Sequence, residues 1–367
     1  MNRTRLYVSL LIIATAVVLG IVPIPSSLVE QDYSNGIYPL INWLITPVTN
    51  LLPFAVVDIL LVLLLAGLPA WWILRLVRAR RGARLRTLPW LVLETLTAGA
   101  VVYLLFAVLW GLNYQRQPLT FKLDSSSERI TPEAEKELYD LTVRHLNQDA
   151  PAVHSRPFPG DTQMLPALHN SFESSVQSLG TNFTTYGVEP KASILNGYLE
   201  ATAVSGFTDP WTHEVILAQS LLPFERPFVL AHEWSHLAGY ASESEANFIG
   251  LLTCIRSDQP FIRYSGWLSL YGYLPQPKED QAQLDPLVVA DLDAIRARIA
   301  AHEVKQVRQR EEDAYDKYLK ANRVEQGIGN YGLFVRLVLG TRFTENWVPQ
   351  RRGISSVLES AGSQAGQ

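Results

Sequence analysis

The chain has 367 residues, 48% hydrophobic and 18% charged, which is too apolar for a disordered protein and long enough for a membrane module plus a domain. Its single cysteine, Cys254, excludes an internal disulfide, a cysteine-rich zinc cluster and a CxxC redox centre. Residues 1–112 hold 8 Arg/Lys against 4 Asp/Glu, leaving 23 against 31 for residues 113–367, a split that suits a basic membrane anchor and an acidic water-facing domain, with no nucleic-acid partner.

Three runs meet the roughly 20 apolar residues that a helix needs to cross a bilayer, at about 6–23, 51–74 and 91–111. The first could be a signal peptide, but Val22-Pro23-Ile24-Pro25 offers no small-residue cleavage site, so it is expected to stay. Residues 33–53 are also uncharged, yet Pro39, Pro47 and Pro53 interrupt them, which predicts an interfacial or re-entrant segment. Asp58 and Glu94 lie near span ends and read as a helix cap or snorkelling groups. Arg75, Arg78, Arg80, Arg81, Arg84 and Arg86 lie between the second and third spans without an acidic residue among them. By the positive-inside rule that loop and the N-terminus are cytoplasmic. The expectation is a multi-pass protein of the cell membrane, with everything after Asn113 outside the cytoplasm.

Residues 113–352 read as one mixed, mostly helical domain, and 353–367 as a flexible Ser/Gly-rich tail. Thr131-Pro132-Glu133 starts a helix with a capping threonine and proline at the first helical position. Residues 151–162 predict a loop and 163–179 a second helix. Strand-like runs flank the turn Thr208-Asp209-Pro210-Trp211, and Val215–Gln219 is a candidate edge for an added peptide strand. Residues 284–322 predict one long charged helix, and Tyr331–Leu339 a short apolar one.

The chemistry concentrates in His232-Glu233-Trp234-Ser235-His236, an HExxH pattern. On a helix the two imidazoles leave one face a turn apart, and Glu233 sits about 100° round, placed to reach a water and not the metal. Gly239 then predicts a helix stop. Ser242 and Glu245 have the form of a capping box, which would occupy Glu245 and free Glu243 as third ligand. Glu245 remains the alternative ligand. Asn247, one turn beyond Glu243, is placed to hydrogen-bond a ligand histidine. Two imidazoles and a carboxylate suit zinc with an open fourth position, the pattern of a catalytic site. His213, Tyr240, Tyr264 and Tyr271 are candidates for stabilising an oxyanion, and Cys254 reads as a small buried residue.

Beyond HExxH, the chain resembles the family called domain of unknown function 3810. The resemblance runs through Val29-Glu30, Tyr33 to Pro39, Pro53-Phe54, Trp110 to Tyr114, Gly206 to Pro210, His232 to Gly250, Tyr264-Ser265-Gly266, Tyr315 to Leu319 and Asn330-Tyr331-Gly332. It implies a membrane-anchored, metallopeptidase-like protein. Glu243 to Asn247 is also similar to the E-x-x-[AS]-[DN] element of gluzincin peptidases, which implies Glu243 as a zinc ligand. Only six residues separate His236 from Glu243, fewer than in the better-known gluzincins.

The expected protein is therefore a three-span helical anchor followed by an α+β, mostly helical, zincin-like domain. Its expected activity is zinc-dependent hydrolysis of a peptide or protein outside the cytoplasm, with the lipid bilayer as its other partner. The alternatives are a metal-stabilised sensor or interaction protein without catalysis, and a zinc hydrolase of a non-peptide amide.

Overall fold

The computed structural model of the chain describes residues 3–79, 84–181, 183–185, 187–275, 283–322 and 331–353. Part of the basic loop, and the expected flexible tail beyond Gly353, lie outside them.

Three helices are long and apolar enough to cross a membrane, and few of their residues are buried in the protein: α1 (Arg3–Ile21), α3 (Val56–Arg78) and α4 (Arg84–Leu109). Their bounds differ from the hydropathy runs. Ala55 is extended, so α3 begins only at Val56, and it continues past Leu74 because arginine is a good helix former. Helix α4 begins earlier for the same reason and ends at Leu109, where Trp110 leaves helical geometry. The two are tied by Arg75 to Glu94 at 3.0 Å and by Trp72 Nε1 donating to Thr95.

The proline-interrupted segment is helical: a wide-turn stretch, Val29–Ile37, leads into α2 (Tyr38–Asn50), with Pro47 inside it. Its buried face is largely polar, with Asn42, Thr46 and Thr49 beneath it, whereas Leu40, Trp43, Leu44 and Val48 are exposed.

The first turn of α3 is stapled to the domain. The buried Glu214 carboxylate accepts from the Val56 and Val57 amides, from Thr212 Oγ1 and from Lys191 Nζ, so it caps the helix while being neutralised. Asp58 accepts from Ser193 Oγ and the Ile194 amide, which makes it an anchoring group in place of a snorkelling one.

The domain core forms where α8 (Arg226–Leu237), α9 (Glu243–Ile255) and α10 (Pro260–Tyr273) pack together against α5 (Pro132–His154) and α6 (Asp161–Ser178). Trp234 and Trp267 are its largest buried groups, with Tyr264, Tyr271, Phe172 and Phe248 packed among them. Thr131 caps α5 through the Ala134 amide, as its sequence predicts. The helix then runs through Pro151 to His154, beyond the expected loop start, because Ala150 and Val153 continue the buried face. The sheet is a two-stranded antiparallel ribbon, β1 (Gly206–Thr208) with β2 (Val215–Leu217), in the register Phe207 to Ile216. Lys191 bridges the far side of Ile216, so β2 is an inner strand and not the expected edge.

The expected long charged helix is two: α11 (Pro286–His302) and α12 (Lys305–Ala321). Extended geometry at Glu303 and Val304 breaks it, and the Val304 amide donates to Ala201 O, so α12 packs against α7 (Asn196–Thr202). Helix α13 (Tyr331–Gly340) closes the core beside α9.

Glu30 sits at the junction of anchor and domain. Burial would raise its pKa, but hydrogen bonds and charge from Arg116 and Lys122 hold it at about 2. A carboxyl depressed in the folded state stabilises fully above its unfolded value, near 4.5, and loses that contribution as pH falls toward 2. Glu30→Gln should cost about 3 kcal/mol near neutral pH, because it leaves Arg116 buried with its charge unpaired. Thermal unfolding in detergent should show that gap closing between pH 5 and about pH 2.

Candidate metal centre

Helix α8 buries Phe228, Leu230, Ala231, Trp234 and Leu237, leaving His232 and His236 together on its remaining face. It ends in a Schellman turn. Gly239 is left-handed at φ 81°, its amide donates to His236 O, and the Tyr240 amide donates to Ser235 O. A Cβ at Gly239 would also come within 2.8 Å of Asn113 Oδ1, so only glycine suits both the turn and its neighbour.

This tight reversal starts α9 at Glu243 and swings that carboxylate back to the imidazoles. Glu243 Oε2 lies 3.3 Å from His232 Nε2, and Oε1 lies 3.7 Å from His236 Nε2. Glu245 goes elsewhere: its Oε1 accepts from the Leu119 amide at 2.6 Å. The expected capping box is therefore not formed, and the Ser242 side chain makes no cap bond. Docking of the Leu119–Lys122 turn against α9 claims Glu245 instead.

His232, His236 and Glu243 together could hold a metal ion. The two Nε2 atoms are 3.1 Å apart, close to the roughly 3.3 Å edge of a tetrahedron with bonds near 2.0–2.1 Å. The far nitrogens fix the tautomers: His232 Nδ1 lies 2.8 Å from Asn247 Oδ1 and His236 Nδ1 2.8 Å from Tyr240 O. With Nδ1–H donating to those oxygens, both Nε2 lone pairs converge with a carboxylate on one point. Such a point could hold a cation. Burial alone would lower the His236 pKa, yet Glu243 pushes it up to about 9, and the paired histidines hold Glu243 well below the ordinary carboxylate range. The donor set fits a divalent transition metal.

Glu233 is buried beside this cluster. Thr208 Oγ1 donates to its Oε2 at 2.9 Å and also to its backbone carbonyl at 2.7 Å. Gly206 gives the carboxylate room, since a Cβ there would meet Glu233 Oε1 at 3.2 Å and Ile216 O at 2.9 Å. Burial raises the Glu233 pKa, opposed by the histidine charges and reinforced by Glu243. Sequence reasoning read Thr208 as part of a turn and of the Gly206 to Pro210 element of the resemblance, with no role at the site.

The four oxyanion candidates are engaged elsewhere or packed away. His213 is buried against Tyr38 with Nε2 toward Leu109 O, and Tyr240 pairs with Thr181. Tyr264 donates to Asp291, and Tyr271 packs on Tyr139 in the core. Tyr315 of α12, missed at the sequence level, donates to Glu243 Oε1 instead. Its only sequence signal was the Tyr315 to Leu319 element of the resemblance.

The carbonyls at the C-terminal end of α8 are satisfied from the anchor and the segment just after it. Trp110 Nε1 donates to His236 O at 2.9 Å, Tyr38 Oη to Leu237 O at 2.7 Å, and Arg116 to Ala238 O at 3.0 Å. Arg116 adds a positive charge where the helix dipole is negative. Tyr38 and Trp110 come from the Tyr33 to Pro39 and Trp110 to Tyr114 segments of the resemblance, and Arg116 stands just beyond the latter.

The anchor helices, the ribbon and this cluster define a helical, membrane-type protein with a potential metal site. The chain belongs to the family described as Protein of unknown function (DUF3810), which it matches over residues 33–339. No curated protein and no solved structure matches it.

Elemental analysis of purified protein should find about one metal ion per chain. His232→Ala and Glu243→Gln should lose it, whereas Glu245→Gln should keep it. Asn247→Ala should weaken affinity roughly 10- to 100-fold through the freed His232 ring.

Proposed function

We propose that this protein is a membrane-anchored zinc metallopeptidase, with a zincin-like domain outside the cytoplasm and the N-terminus inside. The observation that carries the reading is Glu233: a buried carboxylate, not a member of the His232–His236–Glu243 cluster, held beside it by Thr208. A purely structural site would have no use for that group. Three protein donors leave a fourth position for water or substrate. When bound, zinc would acidify water and polarise a carbonyl.

The chain's own groups do the rest. Glu233 accepts the proton of the attacking water at its carboxylate and hands it to the leaving nitrogen. Thr208 fixes which oxygen of Glu233 faces the reaction. Tyr315 is the hydroxyl at the site, able to turn from Glu243 toward the oxygen that gains charge. Strand β1, paired with β2 on one side and adjoining Glu233, is the edge along which an extended peptide would add. The orientation rests on the arginines between α3 and α4.

Glu233→Gln should keep full metal content and lose turnover by roughly 10²- to 10⁴-fold against a peptide library. Unchanged turnover would leave the non-catalytic, metal-stabilised reading, and turnover confined to non-peptide amides would move the substrate class. Tyr315→Phe should keep the metal and lower kcat about 10²-fold at nearly constant KM.

A further inference from the structure

Three of the elements around the metal centre, α8, the ribbon and α12, touch the last turn of α4 or its exit. Trp110, the residue after that helix, donates to the backbone carbonyl of His236. The ribbon turn that follows Thr208 lays Trp211 on Phe106 at 5.8 Å. On the third side Tyr315 stacks on Tyr318, and Tyr318 meets Tyr114, just past the end of α4. The centre therefore stands directly on the end of a membrane span.

Helix α2 lies beside this junction and is built inside out for water. Asn42 donates to Leu237 O and is buried, whereas Leu40, Trp43, Leu44, Val48 and Leu51 are exposed along one face, Leu44 at 65% and Leu51 at 82%. The face carries no charge, includes an interfacial-type tryptophan, and is joined by the short bend at 51–55 to the span α3. Lipid is the occupant that fits it.

We propose that α2 lies in the membrane interface and holds the metal centre at the bilayer surface, so that its substrate is the juxtamembrane segment of a membrane-anchored chain. The substrate half of this inference rests on the peptidase reading. The height is bounded by the helix: His236 and His232 lie one and five residues before Leu237, so the cluster stands within about 8 Å of the platform. About three residues of extended chain leaving a membrane span cover that distance.

Two measurements test it on the full chain in nanodiscs of phosphatidylethanolamine and phosphatidylglycerol. A nitroxide at Leu44→Cys, in a Cys254→Ala background, should be relaxed by oxygen and shielded from a water-soluble nickel chelate. Lys136→Cys on the exposed side of α5 should behave oppositely, and Trp43→Cys serves if Leu44→Cys does not fold. Chelate access at α2 equal to that at Lys136→Cys would overturn the placement, whatever the catalytic outcome.

The metal-loaded protein is then given one randomised peptide library in two forms, free in solution and as the linker beyond a poly-leucine transmembrane anchor. The inference expects cuts within about three to ten residues of the anchor, with a preference of roughly a hundredfold over the free form. Equal cleavage of the free library, or cuts spread evenly along the linker, would overturn the substrate class and leave the peptidase reading standing. No cleavage of either form would fail that reading and this substrate together, while the nitroxide result still decides the membrane placement.

Discussion

The C-terminal end of the HExxH helix is the constraint on which the arrangement depends. A helix that stops inside a protein leaves carbonyls that must find donors or cost free energy. Here the donors are Trp110, Tyr38 and Asn42 from the membrane part of the chain and Arg116 from just beyond it. The Schellman turn at Gly239 uses the Ser235 and His236 carbonyls and reverses the chain at once. Because that reversal is short, Glu243 returns to the face of His232 and His236. Anchor and centre are thus one hydrogen-bonded unit.

Charge makes the same junction expensive to open. Arg116 is buried, bonded to Glu30 and Thr181, and lies 4.0 Å over the Tyr240 ring. Glu214 is buried on the other side and gathers two amides, a hydroxyl and Lys191 at the start of α3. Both are ionic groups whose partners span anchor and domain. Removing one partner strands the other in a low-dielectric setting, so these pairs specify how the halves sit together more than they add net stability.

Legibility in the sequence followed the range of the interaction. The three apolar helices, the HExxH face, the Gly239 stop and the Thr131 cap depend on neighbours within a turn or two, and each could be read directly. Glu243 was preferred to Glu245 for two reasons, the spacing to Asn247 and a capping box, and only the second does not hold. The capping box is absent, and Glu245 is claimed by the Leu119 amide, a partner 126 residues away. Tyr315 could not be assigned to the site because it reaches Glu243 across 72 residues, and only after the charged run breaks at Glu303 and Val304. Thr208 was read as turn chemistry, since its bond to Glu233 depends on how the ribbon packs against α8.

By itself the sequence determined the anchor, the pairing of two histidines on one helical face, and the family. Periodicity and composition are local properties, and a four-residue spacing on a helix has one geometric outcome. Tertiary structure decided which carboxylate meets the histidines, which hydroxyls attend Glu243 and Glu233, and how close the centre stands to the spans. Those depend on long-range packing and on which buried polar groups find partners, and no local pattern encodes that choice.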